Sequence, residues 1–464
     1  MSVHVPRLLV AGAQSGSGKT SLTLALVAAL VRRGLKVQTF KVGPDFLDPT
    51  YLAIASGRPC YNLDGWMCGR AYVAALFARA AADADIAVIE GVMGLFDGAR
   101  PDGPDGSTAQ IACWLRAPVL LAVNVHGMAR SIAALVAGYA GFEKGVAIGG
   151  VIANFCGSAG HADILRQALV AACQPALLGA LPRNGLPEIP RRHLGLVSAD
   201  PQTNCDTALL DRFADAAEAH MDMAGIIAMA AGAAPLTPAT DPFHRTVSDA
   251  HPCLAVARDA AFHFYYPDLL EILESRGCAI RYFSPLLDHQ VPVDADALYI
   301  GGGYPELYAD QLAANGAMLE SIRAFAGAGR PVYAECGGLI YLSRSLETLD
   351  GRRHRLAAVL PADTRMRRRK RHLGYVNVTL RRDTLWGKAG DTLRGHAFHY
   401  SELLNDPAEA PGWHHAYHLT GRSNPSGWLE GYGRGNVLAS YVHLHWGGSD
   451  GVVERFVDSL KFKV

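Results

Sequence analysis

Short apolar runs alternate with longer amphipathic stretches from the beginning of the chain. "RLLVAG" (7–12) predicts a strand, and "KTSLTLALVAALVRRG" (19–34) predicts a helix stopping at Gly34. "KVQTFKVG", "ADIAVIEG", "APVLLAVNV" and "GVAIGGVIANF" are further apolar runs, each leading into a loop. Apolar runs separated by helix-length segments belong to parallel strands covered on both faces. "AAGAAPLTPATDPFHRTVSDAHP" then has the Ala, Pro, Thr and Asp content of a linker. A second series follows: "CLAVARD", a helix around "YPDLLEILESRG", "CAIRYFSP", "ADALYIGGG", a helix around "NGAMLESIRAFAGAG", "PVYAE" and a helix over "GLIYLSRSL". Strand-like pieces such as "LGYVNVTL" and "VLASYVHLHW" come last. The predicted fold class is α/β, with two doubly wound domains at 1–230 and 252–464 joined by a linker at 231–251.

Bulk composition removes several function classes. Lys plus Arg and Asp plus Glu both number 43, so no net charge points to nucleic acid or to a membrane surface. The nine cysteines are scattered and form no CxxC pair, which indicates neither a disulfide framework nor a zinc site. The N-terminus has no apolar segment of signal-peptide type. The longest uncharged apolar run, "MAGIIAMAAGAAPL", is too short to span a bilayer. The expectation is a cytoplasmic protein whose partners are small molecules and, at most, a second copy of the chain as a homodimer.

Candidate chemistry begins at "AGAQSGSGKTS" (11–21). A phosphate-binding loop needs glycines that let backbone N–H groups turn onto phosphate oxygens. It also needs a Lys for the β/γ-phosphates and a hydroxyl for Mg²⁺. Gly16, Gly18, Lys19 and Thr20 supply these between a strand and a helix, and Gly12 stands one place before the usual first glycine, where Ala13 now sits. "FKVGPDFLDP" and "VIEGVMGLFDG" end neighbouring parallel strands, the edge where open α/β sheets bind ligands. They bring Lys41, Asp45, Asp48, Glu90 and Asp97 toward the loop. Mg²⁺ takes one or two carboxylates plus phosphate oxygens and water, so Thr20, Asp45 and Glu90 are the expected ligands. Lys41 would neutralise phosphate charge, and Asp48, before Pro49, has a helix cap as its competing role. The expected small molecules here are ATP and Mg²⁺.

In "RPVYAECGGLIYL", Cys336 sits between a strand and a helix, the arrangement of a nucleophile elbow. A helix N-terminus favours a thiolate. A partner imidazole and an oxyanion site are also required. His443 in "SYVHLHW" supplies the first, while Gly302 and Gly303 of "YIGGGYPE" and Gly337 supply the second. "GHAFHYSE" adds a polar surface of His396, His399, Tyr400 and Ser401; His414, His415 and His418 read as a surface loop, and Arg367 to Arg371 as a solvated basic loop or an attractor of a polyanion.

These motifs carry a resemblance. Cys336, "GGGYPE" and the His443 region look like a class I glutamine amidotransferase domain, and the shifted-glycine loop resembles dethiobiotin synthetase-like ATPases. Together with "GRPCYNLDGWM", "GMARSIAALVAGY" and "SYVHLHW", the whole chain resembles the cobyrinate a,c-diamide synthase family. The resemblance implies ATP-dependent amidation of the a and c acetates of a corrin precursor, with ammonia drawn from glutamine by Cys336. Arg130 is then a candidate for binding the polycarboxylate ring. The chain departs from the resemblance at several positions. His445 replaces the usual Glu of His-x-Glu, Asn124 replaces an acid, Leu52 replaces a His, and the stretch before "LGY" is unusually basic. Hydrogenobyrinate or a nickel sirohydrochlorin would fit the same motifs. A nucleotide-gated switch of the partitioning kind, or a glutaminase with an inert ATPase domain, are the alternatives of a different class.

Overall fold

Seven strands form one parallel sheet in the first half of the chain: β1 (Arg7–Gly12), β2 (Val37–Val42), β3 (Tyr61–Leu63), β4 (Ile86–Gly94), β5 (Val119–Asn124), β6 (Ile148–Cys156) and β7 (Leu177–Pro182). Their order is β3-β2-β4-β1-β5-β6-β7. β1 is buried along its whole length because helices cover both faces of the sheet, which explains its unbroken apolar pattern. Arg7 is the one charged residue in β1, and its guanidinium donates to the carbonyls of Leu115 (2.6 Å), Val5 (3.0 Å) and Ala234. α1 (Lys19–Arg32) buries Leu22, Leu24, Leu26 and Leu30 between the sheet and the helix Thr207–His220. Each such leucine stabilises the fold by about 1.5–3 kcal/mol. Since β1 lies between β4 and β5, the loop leaving it opens where the winding direction of the sheet changes.

The computed structural model describes residues 4–189, 191–192, 195–196, 205–237, 251–369, 372–422, 424–449 and 451–460. The chain falls into two compact units, Met1–Asp241 and Pro242–Val464. Residues 238–250 of the segment read as a linker, and Lys370 and Arg371 of the basic run, lie outside the described residues. Among the described residues no helix is long and apolar enough to cross a membrane.

The second unit is built on a ten-stranded mixed sheet. Strands Ala279–Phe283, Cys253–Ala257, Ala297–Ile300, Val332–Glu335 and Val437–Ser440 pair in parallel in that order. The sheet continues antiparallel through Asn424–Arg434, His414–Gly421, His372–Leu380 and Thr392–His399 to Val442–Leu444. Only Tyr441 separates Val437–Ser440 from Val442–Leu444. The far end of the antiparallel run therefore curls back beside the parallel half.

Two local expectations are corrected. The helix read over "GLIYLSRSL" spans only Gly337–Leu342, because the Ser343 hydroxyl donates to the carbonyls of Ile340 (2.6 Å) and Ser345 (3.1 Å) and turns the chain into the strand Ser345–Glu347. His414, His415 and His418 lie on a strand, not in a loop. Ala416, Tyr417 and Leu419 bury themselves among them and override the polar composition.

Candidate active site

In the first unit, Gly16 (φ +80°) and Gly18 (φ +88°) adopt left-handed conformations that turn the loop into α1. A Cβ on Gly12 would stand 2.2 Å from Ser17 Oγ and 3.1 Å from Lys19 Nζ, so the close approach occurs at position 12. The Ala13 carbonyl accepts from the Tyr139 hydroxyl. Gly18 is pinned as well: a Cβ there would meet Asn154 Nδ2 at 2.3 Å, and the same amide donates to the Ser17 carbonyl at 3.0 Å. Lys19 Nζ donates to the Met93 carbonyl at 2.5 Å, and Met93 holds φ +49°, rare outside glycine.

Near the carboxyl end of β2 and midway along β4, Lys41 Nζ lies 2.5 Å from Asp48 Oδ2 and 2.8 Å from Glu90 Oε1. Thr20 Oγ1 donates to Glu90 Oε1 at 2.8 Å and lies 3.3 Å from Asp48 Oδ2. The helix-start role weighed for Asp48 falls to Asp45. Asp45 Oδ1 accepts from the Leu47 (2.8 Å) and Asp48 (3.1 Å) amides at the helix start, while the Asp48 carboxylate turns inward onto Lys41. Asp45 Oδ2 is 3.9 Å from Lys41 Nζ. Asp97 is exposed and accepts from the Gly94 amide at 2.9 Å. Arg130 is exposed before the helix Ser131–Phe142, and Leu52 is a core residue. Asn124 accepts from the His126 amide at 3.0 Å.

Burial opposes charge on Lys41, but Asp48, Glu90 and Asp45 outweigh it and hold the ammonium above its ordinary range. Burial pushes Glu90 up to about 7 against the pull of Lys41. Among the described residues, Ser17 Oγ and Glu90 Oε2 are buried with no hydrogen-bond partner. Buried polar atoms rarely stay unpaired. A donor in the loop and an acceptor on β4 fit a phosphate group and a cation. No set of three or more His, Cys, Asp or Glu side chains among the described residues would hold a metal alone. That donor set suits Mg²⁺ completed by phosphate and water.

In the second unit, Cys336 follows Val332–Glu335 and caps the six-residue helix Gly337–Leu342 with φ +48° and ψ −99°. Such strain in a non-glycine residue costs on the order of 1–3 kcal/mol and persists where the surroundings fix it. The Cys336 amide donates to the Ser440 carbonyl at 2.8 Å, and Sγ lies 3.7 Å from the Phe398 carbonyl. Glycines make the close approaches around the elbow. A Cβ on Gly337 would stand 2.9 Å from the Gly303 nitrogen, and one on Gly302 would stand 2.4 Å from His443 Cε1. A Cβ on Gly338 would stand 2.1 Å from the Ile300 carbonyl oxygen. Because that obstacle is backbone, Gly338→Ala should cost about 1–3 kcal/mol and displace Cys336. A lower melting temperature together with lost glutamine hydrolysis checks this; an unchanged melting temperature would contradict it.

His443 is buried in Val442–Leu444, beside Cys336. Burial alone would lower its pKa, but interaction with Cys336 and Glu335 raises it to about 10. The charged form of the imidazole is thereby favoured beside the Cys336 sulfur. Sequence reasoning passed over Glu335. Its one signal was a carboxylate inside an otherwise apolar strand, "PVYAE". The polar stretch 396–401 lies beside this site: His399 stacks on Tyr441 at 3.9 Å, and Ser401 Oγ donates to the Tyr441 hydroxyl at 3.0 Å.

Residues 8–197 match the family described as CobQ/CobB/MinD/ParA nucleotide binding domain, and residues 253–451 match CobB/CobQ-like glutamine amidotransferase domain. The chain is 54% identical over 453 residues to the cobyrinate a,c-diamide synthase of Syntrophotalea carbinolica, covering 98% of each chain. It is 40% identical over 460 residues to that of Dehalococcoides mccartyi, again covering 98% of each. Against the Priestia megaterium protein of the same name, identity is 39% over 455 residues, covering 98% of this chain and 97% of that one.

Proposed function

This chain belongs to the cobyrinate a,c-diamide synthase family, and on that footing we propose that it converts the a and c acetate carboxylates of cobyrinate to amides in the cytoplasm, using ATP and glutamine. The observation that carries the reading is the pairing of two reactive centres in one chain. One is a GKT loop facing Lys41, Asp48 and Glu90; the other is a strained Cys336 beside the buried His443.

A carboxylate oxygen is too poor a leaving group for ammonia to displace at neutral pH. Transfer of the γ-phosphoryl group of ATP to the carboxylate makes an acyl phosphate and releases ADP. Ammonia then adds to that carbonyl, and phosphate leaves. Catalysis of such a transfer is mainly positioning and charge stabilisation. Loop amides and Lys19 would hold the phosphates, and Lys41 would offset charge at the transferred group. Thr20, Glu90 and Asp48 would hold Mg²⁺, which would supply charge neutralisation when bound, with Asp45 in support. Arg130 and Asp97 are assigned to the substrate or phosphate region.

In the second unit the Cys336 thiolate attacks the glutamine side-chain carbonyl. Gly303 and Gly337 are the assigned oxyanion donors, with Gly302 letting His443 approach. His443 gives its proton to the departing nitrogen, releasing ammonia and leaving a thioester. Water, deprotonated by His443, frees glutamate and restores the thiol.

The direct test incubates the protein with ATP, Mg²⁺, glutamine and cobyrinate and counts amidations by product mass. A monoamide followed by a diamide is expected. Product only from a metal-free or nickel-containing ring would move the substrate assignment. Absence of amide from every ring would overturn it in favour of a nucleotide-gated switch.

A further inference from the structure

We infer that Glu335, the residue immediately before the nucleophile, is the acid that positions His443, replacing the carboxylate that a His-x-Glu ending would supply. The inference rests on the reading of Cys336 as a glutaminase nucleophile. Glu335 Oε2 lies 3.6 Å from His443 Nδ1, and both side chains are buried. The same oxygen accepts from the Tyr299 hydroxyl at 2.8 Å, while Oε1 accepts from the Tyr333 hydroxyl at 2.6 Å and the Leu444 amide at 3.0 Å. Leu444 follows His443, so one carboxylate grips both the imidazole and the backbone of the strand carrying it. An aromatic layer holds the tyrosines: Tyr333 packs edge-on against Trp386 at 4.7 Å, and Trp386 stacks on Phe456 at 4.2 Å.

The position two residues past His443 is committed elsewhere. His445 Nε2 lies 3.2 Å from Asp268 Oδ2, with both side chains fully buried, and its ring is 4.7 Å from that of Tyr266. His445 thus serves a separate buried pair, and the acid for His443 arrives from the elbow strand. A carboxylate at Nδ1 fixes the tautomer, directs Nε2 toward the reacting thiol and stabilises the imidazolium. The titratable groups facing His443 are Cys336 and Glu335 from the elbow, and His396 opposite it on the ladder.

The experiment measures glutamine hydrolysis against pH for the full-length wild type and Glu335→Gln, with ammonia-driven amidation as the control. Gln keeps the shape and an acceptor oxygen but removes the charge. The expected result is a ~10²–10⁴-fold loss of kcat with glutamine, with ammonia-driven synthesis within about threefold of wild type. The alkaline limb of the profile should move down by about one pH unit, since a neutral neighbour no longer holds the imidazolium. Glu335→Asp, which keeps the charge, should restore the limb before it restores kcat. Hydrolysis within about threefold of wild type and an unmoved limb would overturn the inference. If Glu335→Gln does not fold, Tyr299→Phe and Tyr333→Phe decide, because they leave the charge but release its orientation. Reduced hydrolysis with intact ammonia-driven synthesis supports the assignment, and unchanged hydrolysis overturns it. A wild type that hydrolyses no glutamine would instead refute the reading of Cys336.

Discussion

Replacing Cys336 with alanine should abolish amide formation from glutamine, by at least ~10³-fold, while ammonia-driven formation stays within about threefold of wild type. The separation follows from the chemistry. Glutamine hydrolysis needs a covalent thioester and therefore the sulfur, whereas attack of free ammonia on an acyl phosphate needs nothing from the second unit. Alanine occupies less volume than cysteine and faces the same left-handed backbone cost at φ +48°, so the elbow should keep its shape. The assay compares glutamine and ammonium salts under saturating ATP, with product counted by mass. Equal loss with both nitrogen donors would mean that Cys336 supports the fold or the ligase chemistry. Retained glutamine activity would place the nucleophile elsewhere among the nine cysteines.

Five of the seven strands of the first sheet were legible in the sequence, whereas the edge strands β3 and β7 were not. The run "RLLVAG" coincides with β1, and "KTSLTLALVAALVRRG" contains α1. Parallel strands covered on both faces leave an apolar signal that needs no partner to interpret. The antiparallel half of the second sheet was not legible as a sheet. Its strands owe their place to pairing across long separations, as His396 pairs with His443, and histidine-rich strands look like loops. Site residues followed the same division. Lys19, Thr20 and Cys336 sit in contiguous motifs whose spacing already states the geometry. The choice between Asp45 and Asp48 depends on which carboxylate the helix start consumes, a matter of side-chain direction three residues apart. Glu335 meets His443 only because the sheet curls back on itself, and no local pattern encodes that closure.

Glu90→Gln should lower amide formation by ~10²–10³-fold with glutamine and with ammonia alike, in contrast to Cys336→Ala. Glu90 is fully buried midway along β4, and its Oε1 serves both Thr20 and Lys41. Its Oε2 finds no hydrogen-bond partner among the described residues, an arrangement that burial disfavours unless a cation or donor completes it. Glutamine as a side chain keeps one oxygen for Thr20 and Lys41 but presents an NH₂ where the second oxygen stood. That group cannot bind a cation, and it removes a negative charge while Lys41 stays paired with Asp48. Because Lys41 is not left alone, the loss of stability should be smaller than the ~3–5 kcal/mol of a fully broken buried pair, and the melting temperature separates folding from chemistry. Titrating Mg²⁺ in the ammonia-driven assay carries the decision. A weakened Mg²⁺ dependence with a depressed plateau would assign Glu90 to the cation. A plateau above a tenth of wild type with unaltered Mg²⁺ dependence would leave Glu90 as a structural partner of Lys41 and shift the cation to Asp48. Asp48→Asn in the same titration then separates the two carboxylates, because Asp48 reaches Lys41 (2.5 Å) from the helix start and Glu90 reaches it (2.8 Å) from β4.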